Sequence, residues 1–180
     1  RRRGRAPGGA LEPARPIRRA RRVSARPPLE GESVAVSGYA SLFATPDDAR
    51  DLVVRGAFRR SLSERGASGI RFLWQHDPAR PIGVWDRAFE DARGLRVEGR
   101  LLTRTAAGAE AAHLLAGGAL DGLSIGFRTR SARRDPTTGV RRVFDIDLWE
   151  VSLVTFPLHP GARLDVPGTA AVSPLRAVRS

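Results

Sequence analysis

The sequence contains no cysteine, lysine, asparagine or methionine, and only 6% of its 180 residues are aromatic. The lack of cysteine excludes disulfides, thiolate zinc sites and a cysteine nucleophile, and it is more typical of an intracellular chain. No run of about 18 apolar residues occurs, so we expect no membrane-spanning segment. We recognise no secretory signal. A chain of this length suits one domain with a substantial core.

Positive charge is concentrated at the N-terminus. Residues 1–28 hold ten arginines and one glutamate, a local charge of +9, whereas the rest has 21 arginines against 18 acids. Rich in proline and glycine and without apolar periodicity, residues 1–30 are predicted to form a disordered arm. Two interpretations stay open: an arm that docks on nucleic acid or an acidic partner, and a solubilising or cleavable leader. Residues 167–180 are predicted to be a tail, which leaves 31–166 as the folded domain.

Short strands and two helices alternate irregularly along this domain. Period-two alternation predicts strands at "SVAVSGYASLF", "GIRFLWQHD", "IGVWDRAFED", "LRVEGRLL", "LSIGFRTRSARR" and "VRRVFDIDLWEVSLV". Helices are predicted at "AFRRSLSERG", ending at Gly66, and at "TAAGAEAAHLLAGG", capped by Thr105. "TPDDARDLVVRG" and the segment from Pro78 to Pro81 are predicted loops. Without regular βαβ alternation, the pattern favours a mainly β (α+β) fold, an antiparallel β-barrel with peripheral helices.

One pentapeptide, "GLSIG" around Ser124, has the G-x-S-x-G pattern of α/β-hydrolases. In that fold the motif links a strand to the helix that follows it. Here the helix precedes Ser124 and a strand follows, so we reject the hydrolase interpretation. Taken alone, Ser124 and its glycines indicate a crowded strand start. A nucleophilic role would require a base that is oriented by a third group.

Three histidines could supply that base. His113 lies in the middle of a predicted helix and is most simply a surface residue. His159 lies in a proline-flanked loop, where it is either incidental or a base or substrate contact. Alternation places His76 on the apolar face of its strand, at the strand's end, so a core histidine and a reactive base both stay open. No second histidine follows His76 at metal-ligand spacing, and we expect no metal site.

Glu150 interrupts the apolar face predicted for "VFDIDLWEVSLV". A buried carboxylate requires a partner, and two candidates are open: the Nδ1–H of a histidine and the guanidinium of Arg128. If residues 136–138 form the turn centre, Ser124 lies opposite Glu150 with their Cβ atoms about 5 Å apart. This register predicts a nucleophile and an acid in one neighbourhood.

Six segments between Ser33 and Leu164 carry a family resemblance: "GYASLF", "RGAFRRSL", "LWQHDPARPIG", "DARGLRVEGRL", "LAGGALDGLSIGF" and "LWEVSLVTFPLHPGA". In order and spacing the chain resembles the prohead (capsid maturation) serine proteases of tailed bacteriophages, whose fold is similar to that of the herpesvirus maturation protease. The resemblance implies that Ser124 is the nucleophile, His76 the general base and Glu150 the residue that orients the histidine. The family's last segment usually reads proline-alanine-asparagine-proline, whereas this chain has "PLHP" at His159.

The resemblance also implies the biological role. We expect a serine endopeptidase without cofactors that cleaves major capsid protein, scaffold protein and itself inside the procapsid, in the bacterial cytoplasm. Self-association and nucleic-acid contact through the arm are further expectations. For the oxyanion hole and substrate contacts, the candidates are Gly122, Gly126, Arg128 and His159. The alternative function is an inactive capsid-assembly or scaffolding protein with a basic arm that binds nucleic acid or a partner.

Overall fold

The computed structural model describes residues 32–165, and the predicted arm (1–30) and tail (167–180) lie outside this range. In chain order the elements are β1 (Ser33–Leu42), β2 (Asp51–Val53), α1 (Arg59–Arg65), a 3₁₀ turn (Ala67–Gly69), β3 (Arg71–Trp74), β4 (Asp77–Glu90), β5 (Gly94–Leu102), α2 (Ala106–Ala116), β6 (Gly122–Arg134) and β7 (Arg141–Val154). The mainly β prediction with two helices is confirmed. Neither described helix is long and apolar enough to cross a bilayer.

The seven strands form one mixed sheet. Their order is β1-β5-β4-β3-β7-β2, and β6 pairs with the other edge of β7. Neighbouring strands are antiparallel, except that β2 and β3 run parallel to β7. Because β7 has 14 residues, the two short strands fit end to end along one edge, beside residues 141–143 and 150–153. The second half of β7 therefore lies between β3 and β6.

The sheet is not closed into a barrel, so that part of the fold prediction is wrong. No ladder joins β1 to β6 in the described chain. The segment at Arg163 and Leu164 lies between them and forms one bridge to each, at Gly122 and Gly38. A Cβ atom at Gly38 would lie 2.3 Å from the Arg163 carbonyl oxygen. This late segment occupies the position where direct pairing would have closed the sheet.

One cluster of buried apolar side chains forms the core. Phe72 of β3 and Trp85 of β4 stack with their ring centroids 3.9 Å apart. The Trp85 indole N–H donates to the Val151 carbonyl at 3.3 Å. Aromatic stacking and a satisfied indole N–H thus tie β3, β4 and β7 together, and this unit carries the site described below.

The predicted helix ends are confirmed. The Thr105 hydroxyl accepts a hydrogen bond from the Gly108 N–H at 3.0 Å, which satisfies a free donor in the first turn of α2. Gly66, with φ of 65°, follows the last residue of α1. The start of α1 is held from a distance: the Glu90 carboxylate accepts from the N–H groups of Gly56 and Phe58, each at 2.8 Å.

Both predicted loops contain strand residues. The segment after β1 includes β2, which joins β7. Residues 78–81 belong to β4, whose ladder with β3 shifts register at Leu73 and pairs that residue with Pro81. Proline is compatible with a strand at such irregular positions, because its missing N–H is not required there. The prolines therefore mark an irregular strand rather than a loop.

The β6–β7 register also differs from the predicted one. Ser124 lies opposite Ser152, and Gly126 lies opposite Glu150. Phe127 pairs with Leu148, so Trp149 is an extra residue on β7. This bulge reverses the alternation: Leu148 and Val151 are both buried in the core. Glu150 consequently points away from the core side that Leu148 occupies, and the prediction that it interrupts that apolar face is wrong.

Candidate active site

His76 is presented by a tight turn. β3 ends at Trp74 and β4 begins at Asp77, so Gln75 and His76 are the central residues of a hairpin. Their φ values are 51° and 62°, the signature of a type I′ turn, which glycine and asparagine usually form. The predicted strand alternation therefore does not extend to His76. A non-glycine residue in the left-handed region costs about 1–2 kcal/mol, so other contacts must stabilise this turn.

The end of β7 supplies those contacts. The Gln75 N–H donates to the Leu153 carbonyl at 3.0 Å. The Gln75 side-chain amide pairs with Thr155, donating to its hydroxyl at 2.8 Å and accepting from its N–H at 3.3 Å. The His76 N–H donates to Ser152 Oγ at 3.3 Å. Both turn N–H groups are thereby satisfied, and the histidine backbone is fixed to β7.

The imidazole of His76 is paired with Glu150. Nδ1 and Oε1 lie 2.6 Å apart, a distance typical of a charge-assisted hydrogen bond. Because a carboxylate only accepts, Nδ1 carries a proton and Nε2 is left as the basic nitrogen. The hydrogen bond from Glu150 raises the pKa of His76 above its ordinary value, against the opposite effect of burial. Within residues 32–165, Nε2 has no hydrogen-bond partner.

The histidine, and not Arg128, is the partner of Glu150. Arg128 is exposed, lies opposite Asp147, and forms no ion pair within the described range. The Glu150 side chain is only 13% exposed, so this pairing satisfies a largely desolvated carboxylate. Of the two candidate partners, the described structure thus places the histidine Nδ1 against Glu150 and leaves Arg128 apart from it.

Two neighbours of Glu150 fix its position. Ser152, two residues along the strand and fully buried, donates its hydroxyl proton to Oε2 in a short hydrogen bond. Gly126 lies opposite Glu150, and a Cβ atom there would lie 1.9 Å from Oε1. The absence of a side chain at position 126 therefore provides the space in which the carboxylate lies.

Ser124 lies on the same side of the sheet as Glu150 and Ser152, because directly opposed residues share a face. It is 7% exposed and lines a cavity of about 20 Å³ with Asp47, Leu158 and other residues, room for about one water molecule. No hydrogen bond joins its hydroxyl to His76 in the described chain. The serine is thus a cross-strand neighbour of Ser152, which itself contacts the histidine.

His159 lines the same cavity, but its ring nitrogens are both engaged. Nδ1 accepts from the Gly161 N–H at 3.1 Å, which places the proton of a neutral ring on Nε2, 2.9 Å from the Thr45 hydroxyl. The structure thus gives His159 a position beside Ser124 without a free basic nitrogen. The His113 ring, in contrast, donates locally, from its Nδ1–H to the Ala109 carbonyl oxygen at 2.8 Å.

Gly122 has a packing explanation. A Cβ atom there would lie 2.6 Å from the Val154 carbonyl oxygen and 2.8 Å from Pro157. The glycine therefore allows the strand start and the 155–161 loop to approach closely.

Sequence patterns did not indicate four residues that lie at the site: Gln75, Ser152, Thr155 and Asp47. A signal was available for Ser152, which lies two positions from Glu150 and therefore on its face. No sequence signal was available for the Gln75–Thr155 pair, because this pair depends on parallel pairing between the distant strands β3 and β7. Within residues 32–165, no group of three or more histidine and acidic side chains is placed to hold a metal ion.

Comparison with known proteins finds relatives of this chain among phage proteins. A family model described as caudovirus prohead serine protease matches residues 22–173. The prohead protease of Enterobacteria phage HK97 is 31% identical over 137 residues, covering 74% of this chain and 60% of the relative. The prohead protease of Escherichia phage T5 is 30% identical over 128 residues, covering 70% and 59%. The chain thus spans about 60% of the length of these curated relatives.

Solved structures show a related fold. The bacteriophage T4 capsid assembly protease matches with a TM-score of 0.56 at 14% identity, over 68% of this chain and 82% of that one. The KSHV protease in complex with a hexapeptide phosphonate inhibitor gives a TM-score of 0.47 at 16% identity, over 72% and 63%. The T4 match shows that the two chains share the sheet architecture.

Proposed function

Because this chain belongs to the caudovirus prohead serine protease family, we propose that it is a serine endopeptidase that acts through Ser124, His76 and Glu150. The observation that carries the proposal is the 2.6 Å contact between His76 Nδ1 and Glu150 Oε1. Nε2 has no partner in the described chain, and Glu150 shares its face of the sheet with Ser124. A serine hydrolase requires such a base, fixed through one nitrogen and open at the other.

In the proposed reaction, His76 Nε2 removes the Ser124 hydroxyl proton as the oxygen attacks a peptide carbonyl carbon. The tetrahedral intermediate collapses when the imidazolium donates that proton to the leaving amine, which yields an acyl-enzyme. Water then attacks the ester by the same route, and Ser124 is released. Glu150 holds the Nδ1–H tautomer and stabilises the imidazolium in both steps.

The tetrahedral intermediates need N–H donors for their oxyanion, each worth about 3 kcal/mol. We assign this role to the N–H groups of Leu158 and His159. Both residues line the cavity beside Ser124, and neither N–H makes a hydrogen bond within residues 32–165. Gly126 and Arg128 are less suited as oxyanion donors. Gly126 lies against the Glu150 carboxylate, and Arg128 is exposed.

The proposed substrates are proteins of the assembling capsid. The matched relatives are named prohead proteases, and the T4 enzyme is named a capsid assembly protease. By extension, this chain cleaves major capsid or scaffold protein, and itself, within the procapsid in the host cytoplasm. The basic arm would contribute to incorporation into the particle rather than to hydrolysis.

The direct test compares the unaltered protein with Ser124→Ala. Each is incubated with the cognate capsid protein, and each is treated with a fluorophosphonate probe that labels activated serines. Cleavage and labelling are expected for the unaltered protein alone. Equal processing by both would reject Ser124 as the nucleophile, and no processing or labelling by either would support the inactive assembly-protein alternative.

A further inference from the structure

We propose that Ser152 is a positioning residue, whose hydroxyl locks the Glu150 carboxylate and the His76 backbone into one hydrogen-bonded ring. The catalytic part of this inference rests on the proposed function. The structural part concerns the network itself and can be tested without any substrate.

The ring closes through three contacts. The His76 ring donates to Glu150 Oε1 at 2.6 Å, Ser152 donates to Glu150 Oε2, and the His76 backbone N–H donates to Ser152 Oγ at 3.3 Å. Ser152 links Glu150 to the His76 backbone, so its side chain must donate and accept at the same time. A hydroxyl does both, whereas a carboxylate only accepts and an ammonium group only donates. This chemistry explains why a polar side chain lies at a position that is 0% exposed.

The ring has a mechanical consequence for the base. A carboxylate held through one oxygen can rotate about its last bonds, whereas one held through both oxygens cannot. The Ser152 contact also restrains the His76 backbone in its left-handed conformation. With both ends of the histidine fixed, the direction of Nε2 is determined by β7. Since a misplacement of 1 Å can cost about 100-fold in rate, this restraint matters for catalysis.

Ser152 is poorly placed to be a nucleophile itself. It is fully buried, whereas Ser124 lines a cavity. Its proton is committed to a carboxylate, and its oxygen faces the His76 backbone N–H and not Nε2. The two serines lie opposite each other in the β6–β7 ladder. Ser124 on β6 is the proposed nucleophile, and Ser152 on β7 is the residue that positions Glu150 and His76.

The first experiment compares Ser152→Ala with a matched control, Ser61→Ala. Ser61 is also a buried serine, 1% exposed, and it too hydrogen-bonds β7, through the Leu148 N–H at 2.9 Å, but it does not contact the proposed triad. The readout is the second-order rate of fluorophosphonate labelling of Ser124 from pH 5 to 9. We expect roughly tenfold slower labelling in Ser152→Ala only. The fall in its labelling rate on the acid side should also begin at a higher pH than in the unaltered protein.

The direction of that shift follows from charge. When the Ser152 donor is removed, the carboxylate charge acts on the imidazolium alone, so the protonated histidine is stabilised and persists to higher pH. An unchanged rate and pH profile in Ser152→Ala would overturn the proposal. So would equal slowing in both variants without a pH shift, since that result would indicate a general loss of stability.

A second measurement uses the unaltered chain, in case Ser152→Ala does not fold. In proton NMR spectra the Ser152 hydroxyl should exchange slowly with water and show a nuclear Overhauser effect to the His76 amide proton. The exposed Ser63 hydroxyl is the internal control. Exchange of Ser152 as fast as that of Ser63 would overturn the ring. Absence of labelling at Ser124 in the unaltered chain would instead reject the proposed function and leave the NMR result standing.

Discussion

Gly126 lies directly opposite Glu150 in the β6–β7 ladder, and the carboxylate occupies the space that a side chain at position 126 would need. The second glycine of the "GLSIG" motif is thus explained by the acid and not by the serine. The motif encodes two separate requirements, a serine on one strand position and an empty volume two residues further on.

Gly126→Ala should therefore disable the site while the fold persists. The new Cβ atom would displace Glu150 Oε1, 1.9 Å away, and separate it from His76. We expect at least about 100-fold slower fluorophosphonate labelling of Ser124 and an overpacking cost of about 1–3 kcal/mol in urea unfolding. Gly117→Ala is the control, since a Cβ atom there would approach nothing closer than 3.3 Å. Normal labelling of Gly126→Ala would contradict the assigned role of Glu150.

Glu150→Gln should slow hydrolysis strongly with little change in structure. The amide keeps the shape of the carboxylate but cannot enforce the same histidine tautomer, a defect that costs about 10⁴-fold in a comparable triad. The measurement is cleavage of the capsid protein by each variant. Ser61→Ala serves as the control for altered β7 packing, and a Glu150→Gln protein within tenfold of the unaltered rate would remove Glu150 from the mechanism.

The pH dependence of labelling should reflect the paired histidine. His76 acts as a base only when neutral, and the Glu150 hydrogen bond raises its pKa. The acid limb of the labelling rate should therefore lie above about 6.5, the ordinary histidine value. In Glu150→Gln the limb should move to lower pH, although the rate is lower throughout. A limb at the same pH in both proteins would show that a different group controls the profile.

The same pairing should make stability pH-dependent. Because the folded pKa of His76 exceeds its unfolded value, the pair stabilises the fold fully below about pH 6.5, and this contribution is lost as pH rises through the folded pKa. Since 43% of the His76 side chain is exposed, we expect no more than about 1 kcal/mol. Urea unfolding near pH 5.5 and pH 8.5 should show the extra low-pH stability in the unaltered protein but not in Glu150→Gln.

The ion pair between Asp51 and Arg141 should be structurally important. Asp51 is 7% exposed and accepts two hydrogen bonds from the guanidinium, one of them at 2.8 Å. Asp51→Asn should lower the free energy of unfolding by about 1.5–3 kcal/mol, because the largely buried side chain at position 51 loses its charge-assisted hydrogen bonds to Arg141. Glu98→Gln breaks an exposed pair with Arg87 and should cost less than about 1 kcal/mol. Urea unfolding measures both changes, and an equal loss of unfolding free energy in Asp51→Asn and Glu98→Gln would contradict this prediction.

Local patterns predicted most elements of this fold. Alternation located β1, β5, β6 and β7, and the Thr105 cap marked the start of α2, because these signals depend on residues adjacent in sequence. The sequence also indicated that Glu150 requires a donor, although it left a histidine and Arg128 both open as that donor. These inferences need no knowledge of how distant segments meet.

The errors lie where distant contacts or irregular backbone decide the outcome. Nothing local identifies Trp149 as an extra residue, so the register opposite Glu150 could not be predicted. Gln75 and His76 are not the usual residues of a type I′ turn, and contacts with β7 hold them there. Failure of the sheet to close depends on two late residues: Arg163 pairs with Gly122, 41 residues earlier, and Leu164 pairs with Gly38, 126 residues earlier.

Trp149 is one of two extra residues on β7, and it sets the phase of the segment that carries Glu150 and Ser152. Removing that single tryptophan would shift this segment by one residue, because a change of one residue reverses the faces of a strand. Glu150 would then turn toward the hydrophobic interior, with its negative charge unpaired.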